Sequence, residues 1–296
     1  MNGYIATIGM FDGVHRGHQF VLRQVVELAH QRGMHSMAIT FDTDGRKGDD
    51  NKSTSQLLSP LSDKLQLLSK TGIDRVEVLP FTDELRRLTA RQFMSQVLRN
   101  QFDVRVLLTG FDNRFGHNRA EGFSDYVRYG HELGIEVRQL PAEGSVSSSL
   151  IRQLLSEGRV AEAADALGYP YTIPGHVEHG QHVGTGLGFP TANLCPDCPR
   201  QLIPAPGVYA VKVRTENSAE LKQGMMNIGY RPTFDGHRLT LETHIFQFSD
   251  DLYGQRLSVS FVERLRDECR FADAASLKAQ LQLDMEQAKQ ALEDER

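Results

Sequence analysis

The stretch Gly9–His18, with the sequence GMFDGVHRGH, decides the fold of the first half of this chain. It follows a short apolar segment, Gly3–Ile8, that is typical of a buried strand, and it precedes a helical pattern over Gln19–Gln31. Gly33 is placed to end that helix. A strand, a glycine turn and a helix in this order bring backbone N–H groups and the positive end of a helix dipole to one point. The stretch therefore predicts a phosphate site in an α/β domain.

Two histidines, His15 and His18, stand at the start of this helix. Such a pair is more often a capping or surface feature than a catalytic one. The complete stretch is more specific, because it resembles the first signature of the flavin-specific nucleotidyltransferases, in which a His-x-Gly-His turn binds ATP for adenylyl transfer to FMN. The resemblance implies catalytic roles for both histidines. It also implies ATP contacts at four residues of the turn, Gly9, Phe11, Asp12 and Gly17.

The composition is that of a two-domain enzyme. The chain has 296 residues, 40% of them hydrophobic, and a formal net charge of -5. Single domains typically contain about 100–200 residues, so this length is sufficient for two cores. No basic stripe is present, which argues against nucleic acid or an anionic membrane as a partner. The sequence shows neither a signal peptide nor a membrane span, so we expect a cytoplasmic location. Cys195 and Cys198 lack a second cysteine pair, which favours reduced thiols over a zinc site.

The first half alternates apolar strand patterns with helical patterns, which predicts a parallel sheet with crossover helices. Ligands of such sheets bind at the carboxyl ends of the strands. Three residues mark such carboxyl ends in this half: Phe41 ends a predicted strand, and Gly9 and Gly110 each directly follow one. Further strands are predicted at Ser36–Phe41, Val104–Thr109 and Ile135–Leu140, and helices at Ser62–Thr71, Thr89–Asn100 and Glu121–Leu133.

Two later motifs of this half also match the nucleotidyltransferase family. Gly110–Gly116 is a loop by composition, but it resembles the family's Gly-x-Asp-x-x-Phe-Gly turn, which implies flavin contacts at Gly110, Asp112 and Phe115. Serines at a helix start are usually caps. Val146–Arg152 nevertheless resembles the family's Ile-Ser-Ser-Thr-x-Ile-Arg motif. That resemblance implies that Ser148 and Ser149 bind ATP and that Arg152 is catalytic, with permanently charged donors for phosphate.

One family signature is missing after the second predicted strand. The family has Pro-His-Pro shortly after Thr-Phe, whereas this chain carries Asp44 at the histidine position. A carboxylate there repels a polyphosphate unless it is protonated or turned away. Arg46 or Lys47 is close enough in sequence to supply a substitute charge. Because of this departure, a second interpretation stays open, in which this half of the chain has lost its catalytic activity.

The hydrophobic period changes from helical to alternating after Gly168–Pro170. Alternation around Tyr209–Val213, Leu239–Ile245 and Leu257–Phe261 predicts a mainly antiparallel β-barrel, and Asp273–Glu293 predicts a closing helix. We therefore expect a Rossmann-like domain over residues 1–157, a helical linker over 158–168 and a barrel domain over 169–296.

A second specific string, Gly184–Asn193, lies in this barrel half. Its glycines alone indicate only loops, whereas the Thr191 hydroxyl and the Asn193 amide are hard oxygen ligands suited to Mg²⁺. The string resembles the riboflavin kinase signature Gly-x-x-Leu-Gly-Phe-Pro-Thr-Ala-Asn. The resemblance implies ATP contacts at Gly184 and Gly186, and Mg²⁺ at Thr191 and Asn193.

Further kinase-like segments follow in order, among them Asn227–Phe234 and Leu241–His244. An acid within an alternating strand normally faces water, but the resemblance implies that Glu242 is the general base for the ribityl hydroxyl. Arg266 lies in a segment that resembles the family's flavin-side region. It either covers the flavin as part of a flap or belongs to the surface.

The resemblance covers Ile8 to about Ala288 and is to the bacterial bifunctional riboflavin kinases/FAD synthetases. It implies phosphorylation of riboflavin to FMN by the second half and adenylylation of FMN to FAD by the first, both with ATP and Mg²⁺. The sequence leaves two alternatives. One is a riboflavin kinase whose first half only binds or assembles, and the other is a flavin carrier without turnover.

Overall fold

The chain divides into two compact units, Met1–Ser148 and Ser149–Arg296. The computed structural model describes residues 3–42, 56–111, 113–141, 144–178, 186, 188–216, 218, 220–233, 236–248 and 250–294. No helix within those residues is long and apolar enough to cross a lipid bilayer. The functional domain limits expected from the sequence, 1–157 and 169–296 with a linker between them, stay predictions.

The first unit contains a parallel sheet with the strand order β3-β2-β1-β4-β5. Its strands are β1 (Tyr4–Ile8), β2 (His35–Asp42), β3 (Arg75–Pro80), β4 (Val104–Thr109) and β5 (Glu136–Gln139). All four pairings are parallel, as the alternation of strands and helices predicts. Strand β3 has no counterpart among the sequence predictions. It lies at one edge of the sheet and begins with an exposed arginine.

Helices connect these strands and cover both faces of the sheet. They are α1 (Arg16–Arg32), α2 (Leu61–Ser69), α3 (Asp83–Arg87), α4 (Ala90–Phe93) and α5 (Phe123–Leu133), and a π-helix (Met94–Gln101) continues α4. Helix α1 ends at Gly33, which takes the left-handed conformation with φ 60°. Because β1 is buried on both faces, Ile5 packs towards the α1 side while Ala6 and Ile8 pack towards the α4 side.

The second unit is built on a closed barrel with the strand order β10-β7-β6-β11-β8-β9. Its strands are β6 (Thr172–Glu178), β7 (Ala192–Pro196), β8 (Gly207–Thr215), β9 (Leu221–Thr233), β10 (Gly236–Ile245) and β11 (Arg256–Arg266). All six pairings are antiparallel, which confirms the predicted barrel. Helices with described bounds near this barrel are α6 (Ser148–Ser156), whose first residue belongs to the first unit, α7 (Val160–Leu167) and the predicted closing helix α8 (Ala274–Asp294).

The two faces of the barrel wall pack against different parts of the protein. One face lines the barrel interior, and the other packs against α8. Tyr209 and Phe261 are fully buried and meet edge to face, with ring centroids 5.3 Å apart. On the opposite face, Ala210 and Met225 pack with Ala288 of α8. Strand side chains alternate between faces, so the residues with even numbers on β8 and β10 point to the face that α8 covers.

Candidate active sites

The glycine turn after β1 has an unusual backbone. Phe11, Gly13 and Val14 all have positive φ angles, of 49°, 73° and 35° respectively. Two of these residues are not glycine, and such conformations persist only where surrounding contacts hold them. The Thr40 hydroxyl donates to the Met10 carbonyl at 3.1 Å. The structure thus holds this turn against the end of β2.

Asp12, a predicted ATP contact, uses its side chain within the protein. Its Oδ1 accepts from the backbone N–H groups of Leu58 at 3.0 Å and Ser59 at 3.1 Å. The Ser59 hydroxyl in turn accepts from the Gly13 N–H at 3.0 Å, and the Ser148 hydroxyl donates to the Asp12 carbonyl at 3.2 Å. The carboxylate therefore fixes the shape of the turn, and Ser148 lies beside it.

His15 and His18 form one stacked pair at the start of α1. His15 is the N-cap residue, is 6% exposed, and accepts the His18 backbone N–H through Nδ1 at 3.4 Å. The two rings are nearly parallel, with centroids 3.7 Å apart, and Phe11 meets His18 edge-on at 5.2 Å. A methyl group at Gly17 would lie 3.3 Å from the His15 ring, so glycine leaves that ring its place.

The surroundings of the His18 imidazole favour its neutral form. Burial lowers its pKa well below the usual 6.5, and the nearby His15 and Lys64 lower it further. Within the described residues, His18 Nδ1 is buried without a hydrogen-bond partner. Such an atom is costly to bury and is suited to meet a ligand.

The predicted flavin loop after β4 is anchored in the core. Phe115 is buried and stacks on Tyr126 with ring centroids 4.2 Å apart. The Tyr126 hydroxyl accepts from the Phe115 N–H at 3.0 Å, and burial raises the pKa of this phenol. Gly110 directly follows β4 and precedes the exposed Phe111, while Asp112 lies outside the described residues. The loop backbone is thus fixed, and Phe111 is the ring that it exposes.

The remaining predicted residues of this half are distributed as follows. Ser149 and Arg152 lie on α6 and belong to the second unit. Asp44, Arg46 and Lys47 lie outside the described residues.

One row of residues across the barrel brings together the predicted kinase residues. Asn193 on β7 pairs with Glu242 on β10, and Glu242 pairs with Asn227 on β9. The row continues through Val208 on β8 to Arg266 on β11. Residues directly opposite on neighbouring strands have Cβ atoms about 5 Å apart and share a face. The predicted metal ligand and the predicted base are therefore neighbours.

The Glu242 carboxylate is half-buried between buried neighbours. Leu241 and Thr243 point into the barrel, whereas Glu242 points to the opposite face. The Thr240 hydroxyl, two residues earlier on the same face, donates to Glu242 Oε1 at 3.2 Å. This hydrogen bond orients the carboxylate.

His244 fixes the segment that carries the predicted Mg²⁺ ligands. Its Nδ1 lies 2.8 Å from the Pro190 carbonyl, which only accepts, so Nδ1 carries the proton. Burial lowers the pKa of His244, and the Phe189 ring lies 5.3 Å from it. Thr191 follows Pro190 directly, so β10 positions both Thr191 and Glu242. Gly186 is exposed, and Gly184 lies outside the described residues.

The side chains of Thr191 and Asn193 fit a magnesium ion that also binds phosphate. Both are half-buried and offer hard oxygen atoms beside a carboxylate. In the described residues no three His, Cys, Asp or Glu side chains gather into a metal cage. Mg²⁺ commonly takes one or two protein ligands together with waters and phosphate oxygens, so this donor set is suitable.

Arg266 forms a two-pronged ion pair with Asp284 of α8. Nε and Nη2 donate to the two carboxylate oxygens at 2.8 and 2.7 Å, and Asp284 is fully buried. This pairing raises the pKa of the arginine. The guanidinium also lies over the Phe271 ring at 5.8 Å. Arg266 is therefore not simply an exposed surface residue, because its ion pair connects the end of β11 to α8.

Sequence reasoning gave no role to four residues of these sites. Asn227 stood within a quoted motif, but its place beside Glu242 depends on strand register. Lys64, His244 and Asp284 act through tertiary contacts. For Lys64 and Asp284, the sequence does contain one usable signal. Each is a charged residue on the apolar side of a helix, which indicates a buried charge.

Models of two protein families match the chain. One, described as FAD synthetase, matches residues 1–150, and the other, described as riboflavin kinase, matches residues 167–292.

Relatives resemble the chain over almost its whole length. A Haemophilus influenzae protein named bifunctional riboflavin kinase/FMN adenylyltransferase is 37% identical over 294 residues, which are 98% of this chain and 94% of that protein. The Listeria monocytogenes protein of the same name is 35% identical over 285 residues, 95% of this chain and 90% of its own. A Streptococcus pneumoniae crystal structure, described as a macrolide-efflux protein, has 29% identity and a TM-score of 0.87, covering 98% of this chain and 95% of its own.

Proposed function

Because this chain belongs to the family of bifunctional riboflavin kinases/FMN adenylyltransferases, we propose an assignment of its two reactions to the residues described above. The protein phosphorylates riboflavin to FMN and adenylylates FMN to FAD. The presence of both family domains favours two activities over the kinase-only alternative. Riboflavin, FMN and ATP are therefore its substrates.

Adenylyl transfer is assigned to the glycine turn of the first unit. An FMN phosphate oxygen attacks the α-phosphorus of ATP, and pyrophosphate leaves. The N–H groups of the first turn of α1 face the phosphates, and neutral His18 has a buried nitrogen available to them. His15 holds His18 by stacking and by capping the helix.

The other predicted residues of this reaction keep the roles that the family resemblance implies. Gly9, Phe11, Gly17, Ser148 and Ser149 bind ATP, and Asp12 acts through the turn that its carboxylate shapes. Arg152 supplies charge to the leaving pyrophosphate. The flavin contacts are assigned to Gly110, Asp112 and Phe115.

Phosphorylation is assigned to the row Asn193–Glu242–Asn227. Glu242 accepts the proton of the ribityl 5′-hydroxyl while that oxygen attacks the γ-phosphorus of ATP, and ADP leaves. Thr191 and Asn193 would hold Mg²⁺, which neutralises phosphate charge when bound. Gly184 and Gly186 bind ATP, and Arg266 fixes the flavin-side segment through Asp284.

The observation that carries this assignment is the direct pairing of Asn193 with Glu242, which puts the proposed metal ligand beside the proposed base. The test incubates purified protein with riboflavin, ATP and Mg²⁺ and separates the three flavins over time. FMN followed by FAD is expected. FMN that accumulates without FAD would instead support a kinase with a silent first unit. The cytoplasmic location and the exclusion of nucleic acid and membrane stay predictions.

A further inference from the structure

Lys64 is a buried cation that neither reaction above uses. It is the fourth residue of α2 and is only 4% exposed. Its Nζ donates to the Phe41 carbonyl at 2.9 Å and to the Met10 carbonyl at 3.3 Å. One ammonium group therefore joins the end of β2 to the glycine turn after β1.

A neutral donor would be sufficient to bind carbonyl groups there. The Thr40 hydroxyl already donates to the same Met10 carbonyl at 3.1 Å. Removing an ammonium from water is unfavourable until new contacts compensate for the lost hydration. The two carbonyl groups hold the Lys64 ammonium against the glycine turn, so its positive charge lies next to the turn that is predicted to bind phosphate.

The charge of Lys64 reaches the stacked histidines. Together with burial and with His15, it lowers the pKa of His18. Among the residues that the structure describes, the titratable groups that act on this imidazole are His15, from the N-cap of α1, and Lys64, from α2. A cation at this point disfavours protonation of His18 and adds positive potential where the N–H groups of α1 face an anion.

We propose that Lys64 is a positioning residue for adenylyl transfer, whose buried ammonium joins the glycine turn after β1 to the end of β2 and supplies positive charge to the nucleotide phosphates that bind at this turn. The inference rests on the proposed function of the glycine turn. It also gives this chain a cation near the end of β2, where the family's Pro-His-Pro turn is replaced by a segment with Asp44.

The test compares Lys64→Gln, which keeps a donor without charge, with Lys64→Arg, which keeps donor and charge. FAD formation from FMN and ATP is measured from pH 5.5 to 8.5. FMN formation from riboflavin by the same chain reports that the rest of the protein is intact. We expect Lys64→Gln to lower kcat for FAD formation about 10- to 100-fold, with a smaller loss in Lys64→Arg.

A second readout separates charge from simple structural support. The imidazole resonances of His18 are titrated by NMR in the ligand-free proteins. In Lys64→Gln the midpoint should rise towards the ordinary histidine value, and the acid limb of the FAD rate profile should move to higher pH with it. Lys64→Arg should keep the low midpoint. Equal losses at every pH with an unmoved His18 titration would overturn the inference.

Two further outcomes are decisive. Wild-type FAD formation in a folded Lys64→Gln overturns the role of the charge. If Lys64→Gln does not fold, a folded Lys64→Arg in which His18 titrates as an ordinary histidine overturns it as well. His18→Ala serves as the reference: full FAD formation there would refute the proposed site itself, whereas its loss with an unaffected Lys64→Gln refutes only the inference on Lys64.

Discussion

Asn193 lies directly opposite Glu242, on adjacent antiparallel strands of the barrel. This relationship places an amide oxygen suited to Mg²⁺ about 5 Å from a carboxylate at the level of their Cβ atoms. Glu242→Gln keeps the size of the side chain and removes its basicity. We expect it to lower kcat for FMN formation by about 100- to 10,000-fold, because general bases commonly contribute that much.

Glu178 provides the matched control for this prediction. It pairs with Asn193 from the other side, on β6, and is exposed. Glu178→Gln should keep most of the kinase activity, and both variants should convert supplied FMN to FAD at the wild-type rate. Equal losses of FMN formation in the two variants would contradict the assignment of Glu242 as the base.

His15→Ala and His18→Ala should each impair FAD formation and leave FMN formation intact. His18→Ala removes the buried nitrogen that is proposed to meet the phosphates, and His15→Ala removes both the helix cap and the stacking partner. Losses of about 100-fold are expected for each. Chromatography of the flavins measures both products in one reaction.

The control for the histidine pair is His131→Ala, since His131 is an exposed residue in the last turn of α5. It should leave both activities unchanged. Unaltered FAD synthesis in His15→Ala and His18→Ala would refute the assignment of adenylyl transfer to this turn.

The first unit should lose stability as the pH falls below about 6.5. The folded state lowers the pKa of His18, so the unfolded chain binds more protons on this residue below the ordinary value of 6.5. Stability from the neutral imidazole is therefore full above that pH and falls towards the lower, folded pKa. His18→Gln should flatten this pH dependence.

Hydrogen exchange of peptides from the first unit, corrected for intrinsic rates, measures this dependence separately from the barrel. His244 also has a lowered pKa, but it lies in the second unit. His244→Gln should therefore leave the pH dependence of first-unit peptides unchanged. A His18→Gln protein that keeps the full pH slope would show that another group causes it.

The sequence predicted those parts of the fold whose signal is local. Strand β4 was expected at Val104–Thr109 and is found there, and helix α1 extends its predicted range by a few residues at its start. In both, the hydrophobic period and the flanking glycines depend only on neighbouring residues. Strand β3 escaped prediction because it is an edge strand with Arg75 and Glu77 in its sequence.

The two sites were predictable only in part for the same reason. The motifs identified candidate residues such as Glu242. The spacing of residues within a motif does not determine which residues of neighbouring strands pair with each other. The pairing of Asn227 with Glu242 depends on how β9 aligns with β10. In the sequence, Lys64 and Asp284 look like ordinary charged residues of a surface helix. Their burial, which gives them their contacts, depends on the tertiary structure.

Gly116→Ala should destabilise the first unit more than an alanine substitution at a glycine of the ordinary left-handed region does. Gly116 has φ of +93°, and a Cβ there would lie 2.6 Å from the Ala90 backbone nitrogen. The strain of positive φ and this collision together should cost about 2–4 kcal/mol. Exchange of first-unit peptides in urea measures the change.

Gly33→Ala is the matched control, because Gly33 has φ of +60° but nothing within 4 Å of an added Cβ. Strain alone predicts a loss of about 1–2 kcal/mol there. A smaller effect of Gly116→Ala than of Gly33→Ala would contradict the close approach of the flavin loop to α4.

Asp284→Ala should destabilise the barrel and weaken riboflavin binding, since it leaves Arg266 without its carboxylate partner. Asp284 is fully buried, and breaking a buried ion pair from one side commonly costs about 3–5 kcal/mol. The side chain of Arg266 remains 20% exposed, so a loss of about 2–4 kcal/mol is expected. The segment after β11 should then move away from α8 and raise KM for riboflavin more than it lowers kcat.

The double variant Arg266→Met with Asp284→Leu removes both charges and should recover much of the stability while the higher KM persists. If Asp284→Ala and the double variant both bind riboflavin as the wild type does, the ion pair has no part in placing the flavin-side segment.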